Sequence, residues 1–212
     1  MALDLVRPPP DTEVADLGCG YGRHLRALAA RGAARLVGVD LSHDLLGEAR
    51  KEAPSARLLR ADLRALPLRS GSLGAALCFY SSMFLGTEAD AAQALREAAR
   101  ALRPGARLLL TTDNPLRLAQ RPRQSFREDV AGLGAVLEES AFDPATRVDE
   151  VRRTVVQPGG KTLSATFRIR YYLPDGLASL AGAAGLSFLR LEPDAPLSAS
   201  TPQLIAVFAR SP

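Results

Sequence analysis

Three glycines at every second position, Gly18, Gly20 and Gly22, separate the apolar run Glu13–Leu17 from a helical pattern that begins at Arg23. Strand, glycine turn and helix in this order build a tight loop whose backbone can approach a ligand closely, because glycine reaches left-handed torsions and carries no side chain. The first amides of the helix point at whatever lies in the loop and favour negative charge there. Spacing then separates the possible cradles. A dinucleotide fingerprint started at Gly18 and Gly20 requires glycine at position 23, where the chain has Arg23, and no G-K-[ST] follows for a nucleoside triphosphate. What remains is D-x-G-x-G-x-G from Asp16. A carboxylate at this point repels a pyrophosphate and suits a ligand that carries an amine. The plain alternative is a glycine turn that only closes a βα unit.

Two further acids weigh against the plain alternative. The second apolar strand ends at Asp40, and an acid at that tip of a βαβ unit can accept from both hydroxyls of a ribose. The third, Arg57–Arg60, runs into Ala61-Asp62-Leu63, where a carboxylate can accept from an exocyclic adenine amine with Leu63 against the ring. Strand ends are polar by default, so each acid alone is weak. Three at successive strand ends of a parallel sheet converge on one crevice.

On these residues the chain resembles the class I S-adenosylmethionine-dependent methyltransferases, strongly over 10–115 and more loosely over 173–210. The segment Ala99-Arg100-Ala101-Leu102-Arg103-Pro104-Gly105-Ala106 looks like that family's helix and L-[KR]-P-G-G turn, with Ala106 in place of the second glycine. The resemblance implies S-adenosylmethionine as cofactor. Asp16 would contact its amino group, with Gly18, Cys19 and Gly20 beneath it. Asp40 would hold the ribose and Leu41 flank the adenine, whose edge Asp62 and Leu63 would read, while Phe79 would complete the cofactor side. It also implies the fold: a doubly wound α/β Rossmann-like sheet of seven strands in the order 3-2-1-4-5-7-6, the last antiparallel. The stretch before the first strand is short for the family, which leaves either an open cofactor site or cover supplied by another element.

Alternating strands and helices up to Thr112 support a parallel sheet with helices on both faces. After Asn114-Pro115 the pattern becomes one of strand runs, with Gln157-Pro158-Gly159-Gly160 a turn between two of them. We read 1–212 as one methyltransferase domain and 133–172 as an inserted antiparallel subdomain covering the active site. A chain of this length is one domain by expectation. Net charge is +4, too diffuse to demand nucleic acid, and the arginines at 117, 121, 123 and 127 are followed closely by acids. No leader and no membrane span are legible, and Cys19 and Cys78 read as reduced thiols. A cytoplasmic protein is expected, monomer or homodimer, with no metal.

Methyl transfer is an in-line displacement, for which the protein mainly aligns the reactants and excludes water. The expected acceptor is a small molecule methylated on N or O. An RNA or protein substrate, or a non-catalytic cofactor-binding module, stand as alternatives. Candidates beside the transferred methyl are His24 at the first helix start, Tyr80 in the fourth-strand exit Phe79-Tyr80-Ser81-Ser82-Met83-Phe84, and Tyr171. Asn114 and Tyr172 join them on the substrate side. For His24 the alternative to a base is a helix-start residue tuned by the dipole. For the tyrosines it is packing.

Overall fold

The computed structural model of the protein describes residues 2–130, 132, 134–192 and 197–212. Its first half alternates: α1 (Ala2–Val6), β1 (Glu13–Leu17), α2 (Arg23–Ala29), β2 (Leu36–Asp40), α3 (His43–Glu52), β3 (Arg57–Arg60), β4 (Leu73–Cys78), α4 (Glu88–Ala101), β5 (Leu102–Asp113). Then come α5 (Pro115–Gln120), the strands β6 (Arg123–Val130), β7 (Gly134–Asp143), β8 (Val148–Val156) and β9 (Thr162–Arg170), and finally α6 (Pro174–Ala183), β10 (Leu186–Glu192) and β11 (Gln203–Arg210).

The large sheet has the order β10-β11-β5-β4-β1-β2-β3, which is the expected 3-2-1-4-5-7-6 read from its other edge. All pairs from β3 to β5 are parallel, whereas β11 runs antiparallel to both β5 and β10. The chain reverses direction across the sheet between β1 and β4, which opens a crevice at the carboxyl ends of these strands. Strand alternation divides the core between the two faces. Ala15, Leu17, Ala76, Leu108 and Phe208 pack beneath α4 and α6, and Val14, Ala75, Leu77 and Leu109 pack against α1 and α2. Helix α4 buries Ala91, Ala94, Leu95 and Ala98, the three- and four-residue spacing of one helical face. Its start is fixed by a capping box in which Thr87 and Asp90 each satisfy the other's backbone amide.

The second sheet is an antiparallel meander, β6-β7-β8-β9. It begins at Arg123, ten residues before the expected boundary, and the position taken for that boundary, Leu133, lies outside the described residues. β6 reads as a solvated charged segment because it is an exposed edge strand: Arg123, Arg127 and Asp129 are exposed, while Glu128 turns to Tyr21. Both ends of the sheet dock on the crevice. At one end Gly86 donates to the carbonyl of Arg168 at 2.8 Å, and Leu85 bridges Ile169. At the other, the Tyr21 hydroxyl in the glycine loop donates to Glu128 of β6 at 3.1 Å. The short helix α5 has no clear apolar period, and the strand runs expected after Asn114-Pro115 begin only beyond it. Asn114 caps it, its Oδ1 accepting from the Leu116 amide at 3.0 Å, and Pro115 occupies the first turn.

Candidate active site

The glycine loop takes the torsions its sequence requires. Gly18, Gly20 and Gly22 all have positive φ. A Cβ on Gly18 would stand 2.6 Å from that of Ser82, so the loop and the β4 exit touch here with no room for a side chain. At Gly20 a Cβ would meet nothing within 4 Å, because the backbone there faces open space. Asp40 braces the loop, with Oδ2 accepting from the Gly20 amide at 2.8 Å and Oδ1 from the Ser42 amide at 2.9 Å. At the root of the loop Asp16 is fully buried, and neither carboxylate oxygen has a hydrogen-bond partner. Burial, with Asp40 adding repulsion, pushes its carboxyl up to about 7.

The β4 exit is the second wall. Tyr80 and Ser81 both adopt left-handed torsions, φ 53° and 61°, which non-glycine residues hold only under restraint. The restraint comes from β5. Thr111 Oγ1 accepts from the Tyr80 amide at 2.9 Å, the Thr111 carbonyl accepts from the Ser81 amide, and the Ser81 and Thr112 hydroxyls meet at 3.0 Å. This turn holds Phe79 stacked on His24, ring centroids 4.0 Å apart. Tyr80 is 55% exposed, with the Arg23 guanidinium 4.6 Å above its ring. Burial, helped by Arg23, lowers His24 to about 4, so its ring is neutral at pH 7.

Loop, β4 exit, α5 and the inner face of the second sheet enclose one cleft of about 1260 Å³. Of the sequence candidates, Gly18, Cys19, Gly20, His24, Asp40, Phe79, Tyr80, Asn114 and Tyr171 line it. Four cofactor-side candidates do not: Asp16 lies fully buried beneath the loop, and the other three stand apart from the cleft. Leu41 is 61% exposed, Leu63 packs against the core cluster, and Asp62 is paired to Arg64, which also bridges to Asp90 at 2.6 Å. A two-residue sequence offset, Asp62 to Arg64, made that pairing available, whereas strand-end position alone suggested a free carboxylate. Tyr172 also falls away from the cleft: it stacks edge-on against Phe84 in the core. Asn114 reaches the cleft wall, but its amide donates to the carbonyls of Ser198 and Thr201 at 2.8 and 2.9 Å. Both amide hydrogens thus join the end of β5 to the stretch before β11. Asn114→Ala is expected to cost ~2–4 kcal/mol, the sum of a lost cap and two orphaned carbonyls. Urea unfolding measures it, and a loss under ~1 kcal/mol would refute this structural role.

Sequence reasoning missed the acids on the far side of the cleft. Asp113 ends β5, and Asp149, 3% exposed, points in from β8. Burial raises both, Asp149 to about 6. A single carboxylate in a polar strand carries no sequence signal, and only the pairing of β8 with β7 turns Asp149 inward. Tyr171, 4% exposed beside them, is held above the usual phenol range by burial and by these two acids, so it remains a hydroxyl donor.

The order of the seven strands, the switch point at β1 and β4, and a glycine loop over a buried acid together define a class I S-adenosylmethionine-dependent methyltransferase fold. Within it, residues 14–105 match the family model described as a methyltransferase domain. The chain is similar over its whole length to the CcbJ methyltransferase from Streptomyces caelestis, with TM-score 0.77, 22% identity and 88% of that chain covered. It is 33% identical over 104 residues to the dTDP-3-amino-3,4,6-trideoxy-alpha-D-glucopyranose N,N-dimethyltransferase of Streptomyces venezuelae, covering 48% of this chain and 44% of the relative. An O-methyltransferase of Pyrenophora dematioidea is 31% identical over 112 residues, covering 50% of this chain and 41% of the relative. The chain thus spans under half the length of these curated relatives.

The residues present fit S-adenosylmethionine. Asp16 offers two unpartnered oxygens to an amino group, Gly20 leaves space where any other residue would fill it, and Asp40 is fixed with lone pairs to spare for a diol.

Proposed function

We propose that this chain transfers a methyl group from S-adenosylmethionine to nitrogen or oxygen of a small-molecule acceptor. The observation that carries the reading is Asp16, buried and without a partner under a glycine loop that opens on a large cleft. The cofactor, when bound, supplies a methyl group activated on a sulfonium. Asp16 holds its amino group and Asp40 its ribose. Phe79 stacked on His24 forms a wall that keeps water from the reacting centre. We assign His24 to that wall rather than to proton transfer, since a base near 4 takes up a proton poorly at neutral pH. The adenine assignment to Leu41, Asp62 and Leu63 requires the Asp62–Arg64 pair to open.

The second sheet, from Arg123 to Arg170, covers the cleft and defines the acceptor side. Its contact with the loop through Tyr21 and Glu128 makes it the cover over the cofactor as well. A relative named as an N,N-dimethyltransferase of a dTDP-amino sugar and another named as an O-methyltransferase agree with this reading. An RNA substrate has less support, because within the basic cluster Arg127 pairs with Asp129 and Arg117 acts on Asp113, which offsets two of its four arginines. We place the protein in the cytoplasm, where its two free buried cysteines stay reduced. Among the described residues no helix is long and apolar enough to cross a membrane.

The test is a screen with methyl-labelled cofactor over pools of small metabolites and of RNA. Label in the small-molecule pool supports the proposal. Label only in RNA, or tight cofactor binding with no transfer to either pool, refutes it in favour of a nucleic-acid enzyme or a binding module.

A further inference from the structure

The methyltransferase reading leaves the acceptor unnamed, and the far side of the cleft constrains it. Asp149 is only 3% exposed, lines the cleft, and keeps Oδ1 without a hydrogen-bond partner. A buried ionised oxygen with no donor is costly, and such a group is retained where a ligand completes it. The surroundings set the sign of that ligand. Asp113 from β5 and Glu138 from β7 both act repulsively on Asp149, and the Ser140 hydroxyl and Ala141 amide relieve it only in part. The cations nearby have other partners: Arg153 bridges to Glu138, and Arg117 acts on Asp113. Tyr171 adds a hydroxyl that stays protonated. Two further acids beside one unsatisfied carboxylate oxygen disfavour an anionic acceptor and attract a cation.

The acid pocket is also placed for transfer. Tyr171 interacts with Ser81 of the β4 exit, and Ser82, the next residue, touches Gly18 of the cofactor loop. Two contacts therefore connect the acceptor side to the donor side.

Resting on the methyltransferase reading, we infer that the acceptor presents an amino group, and that Asp149 binds it with Asp113 and Tyr171 beside it. An ammonium has no lone pair and cannot attack carbon. Its N–H proton passes to Asp149, leaving a neutral amine and a carboxylic acid. The nitrogen pair then forms the N–C bond as the C–S bond breaks, with its electrons retained on sulfur. The product departs as the methylated ammonium and Asp149 returns its proton to water, so one proton is released per turnover. Burial, which raises the Asp149 carboxyl to about 6, makes that uptake easier.

Cyclohexylamine and cyclohexanol, equal in size and different in charge, are suitable probes. In the full chain, titration followed by NMR is expected to show the amine binding at least ~10-fold more tightly than the alcohol, as pairing with a buried carboxylate implies. Asp149→Asn is expected to remove that preference and leave S-adenosylmethionine affinity by calorimetry within about 2-fold, since the two sites share no side chain. Equal binding of the two probes by the parent overturns the inference, whether or not the Asp149→Asn variant folds. So does an Asp149→Asn variant that still prefers amine. Failure of the parent to bind cofactor is a separate result that refutes the methyltransferase reading. Transfer confined to hydroxyl acceptors refutes only the amine.

Discussion

Asp16→Asn is expected to abolish S-adenosylmethionine binding while making the cofactor-free protein more stable above neutral pH. The two effects have one cause. Asp16 has no solvent exposure and no hydrogen-bond partner, and burial together with Asp40 raises its carboxyl to about 7 from an ordinary value near 3.8. An acid raised on folding binds more protons in the folded than in the unfolded state between those two values. Stability contributed by its neutral form is therefore complete below about pH 4, falls as pH rises toward 7, and is lost above it. The full span corresponds to at most ~4 kcal/mol, and relaxation around the charge will reduce it. Asparagine carries no charge to desolvate, so the variant's unfolding free energy should vary less over that range. Binding moves the other way, because an amide cannot neutralise an ammonium. Losing a buried charge-assisted pair costs roughly 3 kcal/mol or more, a loss of at least ~100-fold in affinity. Calorimetry on the parent should also show protons released on binding at roughly pH 6.5, as Asp16 ionises against the bound amino group. An Asp16→Asn variant with unchanged affinity, or a parent that binds without proton release, would remove Asp16 from the site.

Gly18→Ala is the second large effect. Its φ of +79° is strained for alanine, at ~1–2 kcal/mol. The new methyl would also stand 2.6 Å from Ser82 Cβ, overpacking worth about 1–3 kcal/mol. Relief has to come from the β4 exit, where Tyr80 and Ser81 are already held left-handed by Thr111 and Thr112. The expected melting temperature falls by about 4–20 °C for a domain of this size. Cofactor affinity should drop at least ~10-fold, since both displaced segments line the cleft. Gly20→Ala is the control, with positive φ but open space around its Cβ, so it should lose only ~1 kcal/mol of stability. A Gly18→Ala protein as stable as the Gly20→Ala one would show that the contact with Ser82 does not constrain the loop.

Legibility differed between the two halves of the chain for physical reasons. In the first half, Gly18, Gly20 and Gly22 mark a turn that only glycine makes easily, and β1, β2 and β4 are apolar runs buried on both faces. Both signals are local and pointed to a parallel sheet, whereas its strand order was implied by the family resemblance. In the second half, β6 is an edge strand with a solvated composition, so its pairing with β7 leaves no local mark. Asp62 and Asp149 show the same limit in opposite directions. Asp62 stands at a strand end, as a cofactor ligand should, yet Arg64 holds its carboxylate. Asp149 looks like any polar strand residue until the meander folds it inward.

By itself the sequence determined the parallel core and the glycine loop, because torsional freedom at glycine and the apolar period of buried strands act within a few residues, and the resemblance carried by its motifs implied the class of cofactor. Only the tertiary structure decided where the second sheet starts, which carboxylates are paired, and that three acids and Tyr171 share one end of the cleft. Those outcomes depend on burial and on partners brought from β5, β7, β8 and the segment after β9, and a residue's neighbours across a sheet are not written beside it in the chain.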